Sequence, residues 1–281
     1  MSLPRRGRSG VVLAAGLLVL LIGGVVLGVA FGAPGIFPEA IGVRAKGLDR
    51  LFRVILAVTA FGFAATQGLL LYLLLRGRRE GSKPGRGVEL AWMLLPGLIL
   101  VGMAVFQEGG WEEGVQEARM PERFDPRKDY RDAEPPATLE VRVLGKQYEW
   151  RFWYPGADRI FGTDDDVTKL AVLHVPEDHW VIVYLQTRDV VHSFWVPSVR
   201  LKQDLIPGRT VTRWFKCTET GRFDIACAEI CGVGHTFMRA DLVVESPDRF
   251  QDWLRMRRML HGPFDAREDP IWKGWREKPS E

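Results

Sequence analysis

Three apolar stretches crowd into the first 106 positions of this 281-residue chain, and they constrain it more than any other feature. Val11 to Phe31 carries no charge. Val54 to Leu75 is broken only by the polar residues Thr59, Thr66 and Gln67, and Leu90 to Phe106 is shorter. A helix needs about 20 apolar residues to cross the hydrocarbon layer of a bilayer. The first two stretches meet that length, and the third meets it with its flanking residues. In lipid every backbone polar group must be bonded within the segment, so these stretches are predicted as helices.

The charges between them set an orientation. Arg5, Arg6 and Arg8 precede the first stretch. Arg76, Arg78, Arg79, Lys83 and Arg86, with Glu80 as the one acid, separate the second from the third. Basic residues favour the cytoplasmic side, which places everything after Phe106 outside. The first stretch reads either as a membrane helix or as a signal peptide, with the small residues Ala30, Gly32 and Ala33 suiting cleavage. Both readings leave the same topology for the rest.

The remaining residues are polar, charged and rich in Trp. A net charge of +3 argues against a binder of nucleic acid that works by bulk charge. Three cysteines cannot staple a disulfide scaffold. Residues 109–137 read as a linker. Leu139 to Val143 then alternates in polarity as a half-buried strand does, and strand-like runs follow at Tyr148 to Tyr154, Leu170 to Val175, Trp180 to Leu185, Thr210 to Phe215 and Arg239 to Val244. Pro155-Gly156, Pro207-Gly208 and Thr220-Gly221 punctuate them. This pattern predicts an all-β Greek-key domain over 138–246, after a helical hairpin over 48–108 and an anchor or signal over 1–35. A helix and a tail over 247–281 close the chain.

Chemistry concentrates at Cys227-Ala228-Glu229-Ile230-Cys231, followed by His235 and Met238, with His192 upstream. Each residue has a plain alternative: a structural histidine, a disulfide, a core methionine. Together they form a soft donor set. Thiolate, thioether and imidazole suit copper, while the thioether argues against structural zinc. Two thiolates can bridge a pair of copper ions and share one unpaired electron between them, which suits electron transfer. Asp164, Asp165 and Asp166 form an acidic loop tip, read as solvated or as a weak calcium site, and Cys217 as a small buried hydrophobe.

The stretches His192-Ser193-Phe194-Trp195-Val196-Pro197-Ser198, Lys202 to Arg209 and Cys227 to Met238 closely resemble subunit II of cytochrome c oxidase. The resemblance implies a cupredoxin-like domain holding the binuclear copper centre CuA. It makes Cys227 and Cys231 the bridging ligands. His192 and Met238 then complete one ion, and His235 and the carbonyl of Glu229 the other. The Glu229 carboxylate would also reach a magnesium ion shared with the large haem-copper subunit.

Glu89 resembles a glutamate at the mouth of the family's proton-uptake path; alternatively it is a favourable acid in a helix's first turn. Gly145 to Tyr154 resembles the family's aromatic strand, with Tyr148 where a Trp usually admits electrons. Tyr148, Trp150 and Trp153 are therefore the candidates for where electrons enter. Asp189 matches an acidic position that helps dock cytochrome c. The resemblance implies partners in oxidase subunit I and the other oxidase subunits, cytochrome c as donor and membrane lipid, in a bacterial cell membrane with the copper domain on the periplasmic face. Two other classes fit less well: a nitric-oxide reductase with a CuA subunit, and a thioredoxin-like copper chaperone of oxidase assembly.

Overall fold

The computed structural model describes residues 37–76, 85–116, 138–156 and 159–261, with isolated positions 16, 23 and 24. Apart from those three positions, the first apolar stretch lies outside the described residues, as do residues 117–137 of the predicted linker. Two compact units emerge: the described helical residues 37 and 47–116, and a second comprising 38–46 with the β domain.

In the first unit, α1 spans Ala45–Arg76 and α2 spans Arg86–Gln116. Their apolar spans, Ala45–Tyr72 and Arg86–Val105, are long enough to cross a membrane, and the most apolar 18 residues of each include none that is buried within the protein. Phe61, Leu98 and Leu100 are exposed around the helices, as expected of cylinders solvated by lipid. The Thr66 hydroxyl donates to the Phe63 carbonyl at 2.8 Å, which satisfies a polar group inside the helix. Phe37 packs edge-on against Phe52 at 5.5 Å under the Arg53 guanidinium. Helix α2 continues through Gly109 to Gln116, so the first eight residues read as linker are helical. Propagation of an existing helix is cheap, and no proline follows Pro96 until Pro121.

The second unit is a sandwich of two five-stranded sheets. Its strands are β1 (Thr138–Lys146), β2 (Glu149–Tyr154), β3 (Val167–Leu170), β4 (Val172–Pro176) and β5 (Trp180–Thr187), then β6 (His192–Val196), β7 (Leu201–Leu205), β8 (Val211–Lys216), β9 (Gly221–Cys227) and β10 (Arg239–Glu245). One sheet has the order β3-β2-β1-β5-β8 and the other β4-β10-β9-β6-β7. Two pairs are parallel, β1 with β5 and β4 with β10. Val141, Val143, Phe152, Val183 and Leu185 of the first sheet and Leu173, Phe194, Ile225 and Leu242 of the second are fully buried in the core.

The run Leu170 to Val175, read as one strand, is two strands in different sheets. Ala171 turns the corner with φ 57°. Its N–H donates to the Trp150 carbonyl at 2.9 Å and its carbonyl accepts from Asp241 at 3.0 Å, so one residue bonds to both sheets. Strands β7 and β9 are absent from the predicted set. Lys202-Gln203-Asp204 and Arg222-Phe223-Asp224 lack the apolar alternation that marks a strand, and cross-strand pairing overrides their weak propensity.

The segment 38–46 belongs to the sandwich. Ile41 is fully buried, and its N–H donates to Ser198 while its carbonyl accepts from Thr218. Gly42 bridges to Cys217 and lies so close to Val199 that a Cβ would meet its Cα at 3.0 Å. Helix α3 (Pro247–His261) closes the domain through Phe250, Trp253 and Leu254, with Trp253 stacked on His174 at 4.1 Å.

The acidic loop departs from its reading as a solvated tip. Asp166 is buried and accepts hydrogen bonds from Trp153 Nε1 (2.5 Å) and from the N–H groups of Gly162 (2.7 Å) and Gly156 (3.1 Å). Burial raises its pKa more than these bonds lower it. The carboxylate organises the loop from inside.

Candidate metal centre

Four pieces of chain converge at one end of the second sheet. His192 opens β6, which pairs with β9 so that Phe194 faces Cys227. The Ala228 N–H donates to the Ser193 carbonyl at 3.0 Å, which carries the pairing past the strand end and brings His192 beside the cysteine loop. The Cys227 N–H donates to the Met238 carbonyl at 3.1 Å, closing that loop onto the start of β10. A 3-10 turn over His235–Phe237 presents the second imidazole. His192 and Met238 are fully buried, as nearly are Cys227 and Cys231.

The donor atoms form a continuous cluster. Cys227 Sγ lies 3.9 Å from Cys231 Sγ, 3.9 Å from His192 Nδ1 and 3.2 Å from the Glu229 carbonyl oxygen. Cys231 Sγ lies 3.7 Å from His235 Nδ1 and 3.8 Å from Met238 Sδ. The donor atoms of His192, Cys227 and Cys231 all fall within 4.8 Å of one another. Both thiols are free, so the alternative of a disulfide is not realised. Burial and the adjacent Cys227 push the Cys231 thiol up to about 11, so a metal must displace protons to bind. Three sulfurs and two imidazoles, all on buried residues except the half-buried His235, fit a soft metal, copper above all.

His192 is held in one orientation. Its Nε2 faces Asp189 Oδ1 at 2.8 Å, which leaves Nδ1 to face the sulfurs. Burial raises the Asp189 pKa, but hydrogen bonds from the Gln147 N–H, from His192 and from the Val190 N–H outweigh it and hold the carboxyl below its usual range. The carboxylate read as a docking position is thus engaged in the site.

The structure separates the other candidates. Tyr148, half-buried, lies against the cysteine loop, where a Cβ on Gly232 would stand 2.5 Å from its hydroxyl. Trp150 is fully buried, edge-on to His192 at 6.1 Å and to Phe194 at 5.4 Å. Trp153 belongs to the Asp166 loop, with the Arg142 guanidinium 4.7 Å above its ring. Glu89 is exposed in the first turn of α2, and the Glu229 side chain is exposed on the loop. Cys217 is fully buried, its thiol pushed up to about 12 by desolvation alone. Sequence reasoning assigned no role to Gln147, Gly232 or Gly234. The two glycines flanking Val233 were the available signal for a close backbone approach.

Residues 139–246 match the family described as cytochrome C oxidase subunit II, periplasmic domain. Cytochrome c oxidase subunit 2 of Thermostichus vulcanus is 30% identical over 270 residues, covering 80% of each chain. The chain belongs to the cytochrome c oxidase subunit 2 family. The alternative cytochrome c oxidase subunit 2 of Bradyrhizobium diazoefficiens is 29% identical, over 76% of this chain and 82% of its own. The solved periplasmic domain of subunit II from Bradyrhizobium japonicum aligns with 43% of this chain and 94% of its own, at 27% identity and a TM-score of 0.39. Membership makes the chain a subunit of a haem-copper oxidase, with transmembrane helices and a cupredoxin-like domain on the outer face.

Proposed function

We propose that this chain is the electron-accepting subunit of a membrane cytochrome c oxidase. In this reading it takes electrons from cytochrome c at a binuclear CuA centre. It passes them to haem in subunit I, where oxygen reduction is coupled to proton translocation. The observation that carries the reading is the cluster of donors around Cys227 and Cys231, with a histidine beside each sulfur. When bound, the copper pair would supply a one-electron carrier whose charge is shared over two ions.

The residues of the chain do the rest. Cys227 and Cys231 as thiolates would offset two charges of the metal pair and hold both ions. His192 and Met238 would complete one ion, and His235 with the Glu229 carbonyl the other. Burial of His192, Cys227, Cys231 and Met238 and backbone hydrogen bonds keep the ligand positions fixed, so ligands would move little when an electron arrives. Tyr148, the candidate lying on the loop, is favoured for where electrons enter, with Trp150 behind it. The exposed Glu229 carboxylate is free to meet a magnesium ion on the face toward subunit I. Glu89, near the cytoplasmic end of α2, is assigned to proton uptake. The membrane is the bacterial cell membrane.

The test is copper stoichiometry and the electron paramagnetic resonance spectrum of the full-length chain in detergent. Two coppers per chain and one electron spread over both nuclei are expected. A single copper with an ordinary mononuclear spectrum would sink the reading.

A further inference from the structure

Between β1 and β2, the turn at Gln147-Tyr148 touches both halves of the centre. The Gln147 N–H donates to Asp189 Oδ2 at 2.8 Å, and the other oxygen of that carboxylate holds His192. The Gln147 side-chain amide donates to the Cys231 carbonyl at 2.6 Å, at the middle of the cysteine loop. One residue therefore links the histidine of β6 to the thiolate loop after β9, and it sits on the opposite sheet from both.

The loop is shaped to receive this turn. Gly232 has φ 134°, and a Cβ there would also meet Gln147 Nε2 at 2.9 Å. A Cβ on Gly234 would come within 2.5 Å of the Tyr148 ring. Two glycines in three positions leave the loop without side chains where the turn presses on it. Between Cys231 and Met238 the backbone bonds run from His235 to Gly232, Phe237 to Gly234 and Met238 to His235, and the Cys227 N–H closes the loop onto the Met238 carbonyl. These set the shape of the loop but not its distance from His192. The Ala228–Ser193 bond and the Cys227–His192 contact hold the start of the loop beside the histidine, and the Gln147 amide adds a side-chain contact farther along it, at Cys231.

We propose that Gln147 is a positioning residue that clamps the cysteine loop against the Asp189–His192 pair and so sets the spacing of the two halves of the metal centre. The inference rests on the CuA reading above. Groups outside the ligand shell that orient ligands typically change metal affinity by about 10–100-fold when lost. Gln147→Met removes the donor and keeps the length of the side chain. Gln147→Lys keeps a donor of similar reach.

The experiment uses the full-length chain in detergent, loaded with copper. It follows the resonance spectrum, the reduction potential and the rate of copper loss to a chelator. Gln147→Met should still load copper but lose it about tenfold faster or more, with unequal sharing of the electron and a shifted potential. Gln147→Lys should return all three toward wild type, which lost packing alone would not allow. A Met variant identical to wild type overturns the clamp, as do Met and Lys variants equally impaired. Should the Met variant not fold, the Lys variant decides, a wild-type spectrum supporting the clamp and a lost one overturning it. Failure of the wild-type chain itself to show a shared electron overturns the CuA reading and the clamp together.

Discussion

Cys227 and Met238 are both buried ligand candidates, yet their replacements should fail differently. Cys227→Ser or Cys231→Ser removes a soft donor, and if the proposed centre is present either change should abolish the shared-electron spectrum while leaving a folded domain. Met238→Leu nearly conserves volume in the core, a change that costs less than about 1.5 kcal/mol. Its thermal unfolding should stay near wild type while its copper spectrum changes. A spectrum unaltered in Met238→Leu would remove the thioether from the ligand set. Cys217 supplies the control. Its thiol is buried and raised to about 12, so an alkylating reagent at neutral pH should leave it unmodified in the folded chain.

At the scale of the element, two faces of the sandwich respond to pH in opposite senses. Glu140 on β1 is pushed up to about 7 by burial, against the opposing pull of Tyr184 and Arg142. The folded state binds its proton more tightly than the unfolded chain, where the group titrates near 4.5. Its contribution is therefore present below that value and lost as pH rises toward 7. Glu140→Gln should stabilise the domain at pH 8 by up to about 3 kcal/mol and do little at pH 4, read by denaturant titration at both values.

His174 on β4 titrates the other way. Burial lowers its pKa against the pull of Glu245 3.0 Å away, so its neutral form is the one the fold accepts. Stability from this group is present above about 6.5, the ordinary histidine value, and is lost as pH falls below it. Because His174 stacks on Trp253, helix α3 is the element that acid should loosen first. Trp253→Ala should release it at neutral pH, seen as faster hydrogen exchange in Pro247–His261 with β6 and β9 unchanged.

For the whole molecule, a ligand that binds only the folded state stabilises it by mass action. Copper bridging β6, β9 and the loop before β10 should raise the melting temperature of the sandwich, and chelation should reverse the rise. Binding should release protons, because the thiolate is the form of cysteine that binds metal. An unchanged melting temperature on loading would mean that the metal sits outside this cluster. The helices should not respond, since their stability comes from lipid and internal hydrogen bonds.

Hydropathy alone made the hairpin legible, because bilayer thickness converts directly into helix length. Alternation made β1, β2 and β5 legible, and Cys227, Cys231, His235 and Met238 at short spacing, with His192 upstream, marked a soft donor set to which the family resemblance added the Glu229 carbonyl. The tertiary structure decided what depends on pairing across distance. β7 exists by pairing with β6 and β9 by pairing with β10 and β6, Ala171 divides one apolar run between two sheets, and Ile41 is drawn from ahead of the helices into the sandwich. Asp166 turned inward and Asp189 turned toward His192, and neither direction is written in a carboxylate's neighbours along the chain. Composition and period report which face of an element prefers water. Only packing brings Gln147, Asp189 and Cys231, from three separate parts of the sequence, within hydrogen-bond reach of one another.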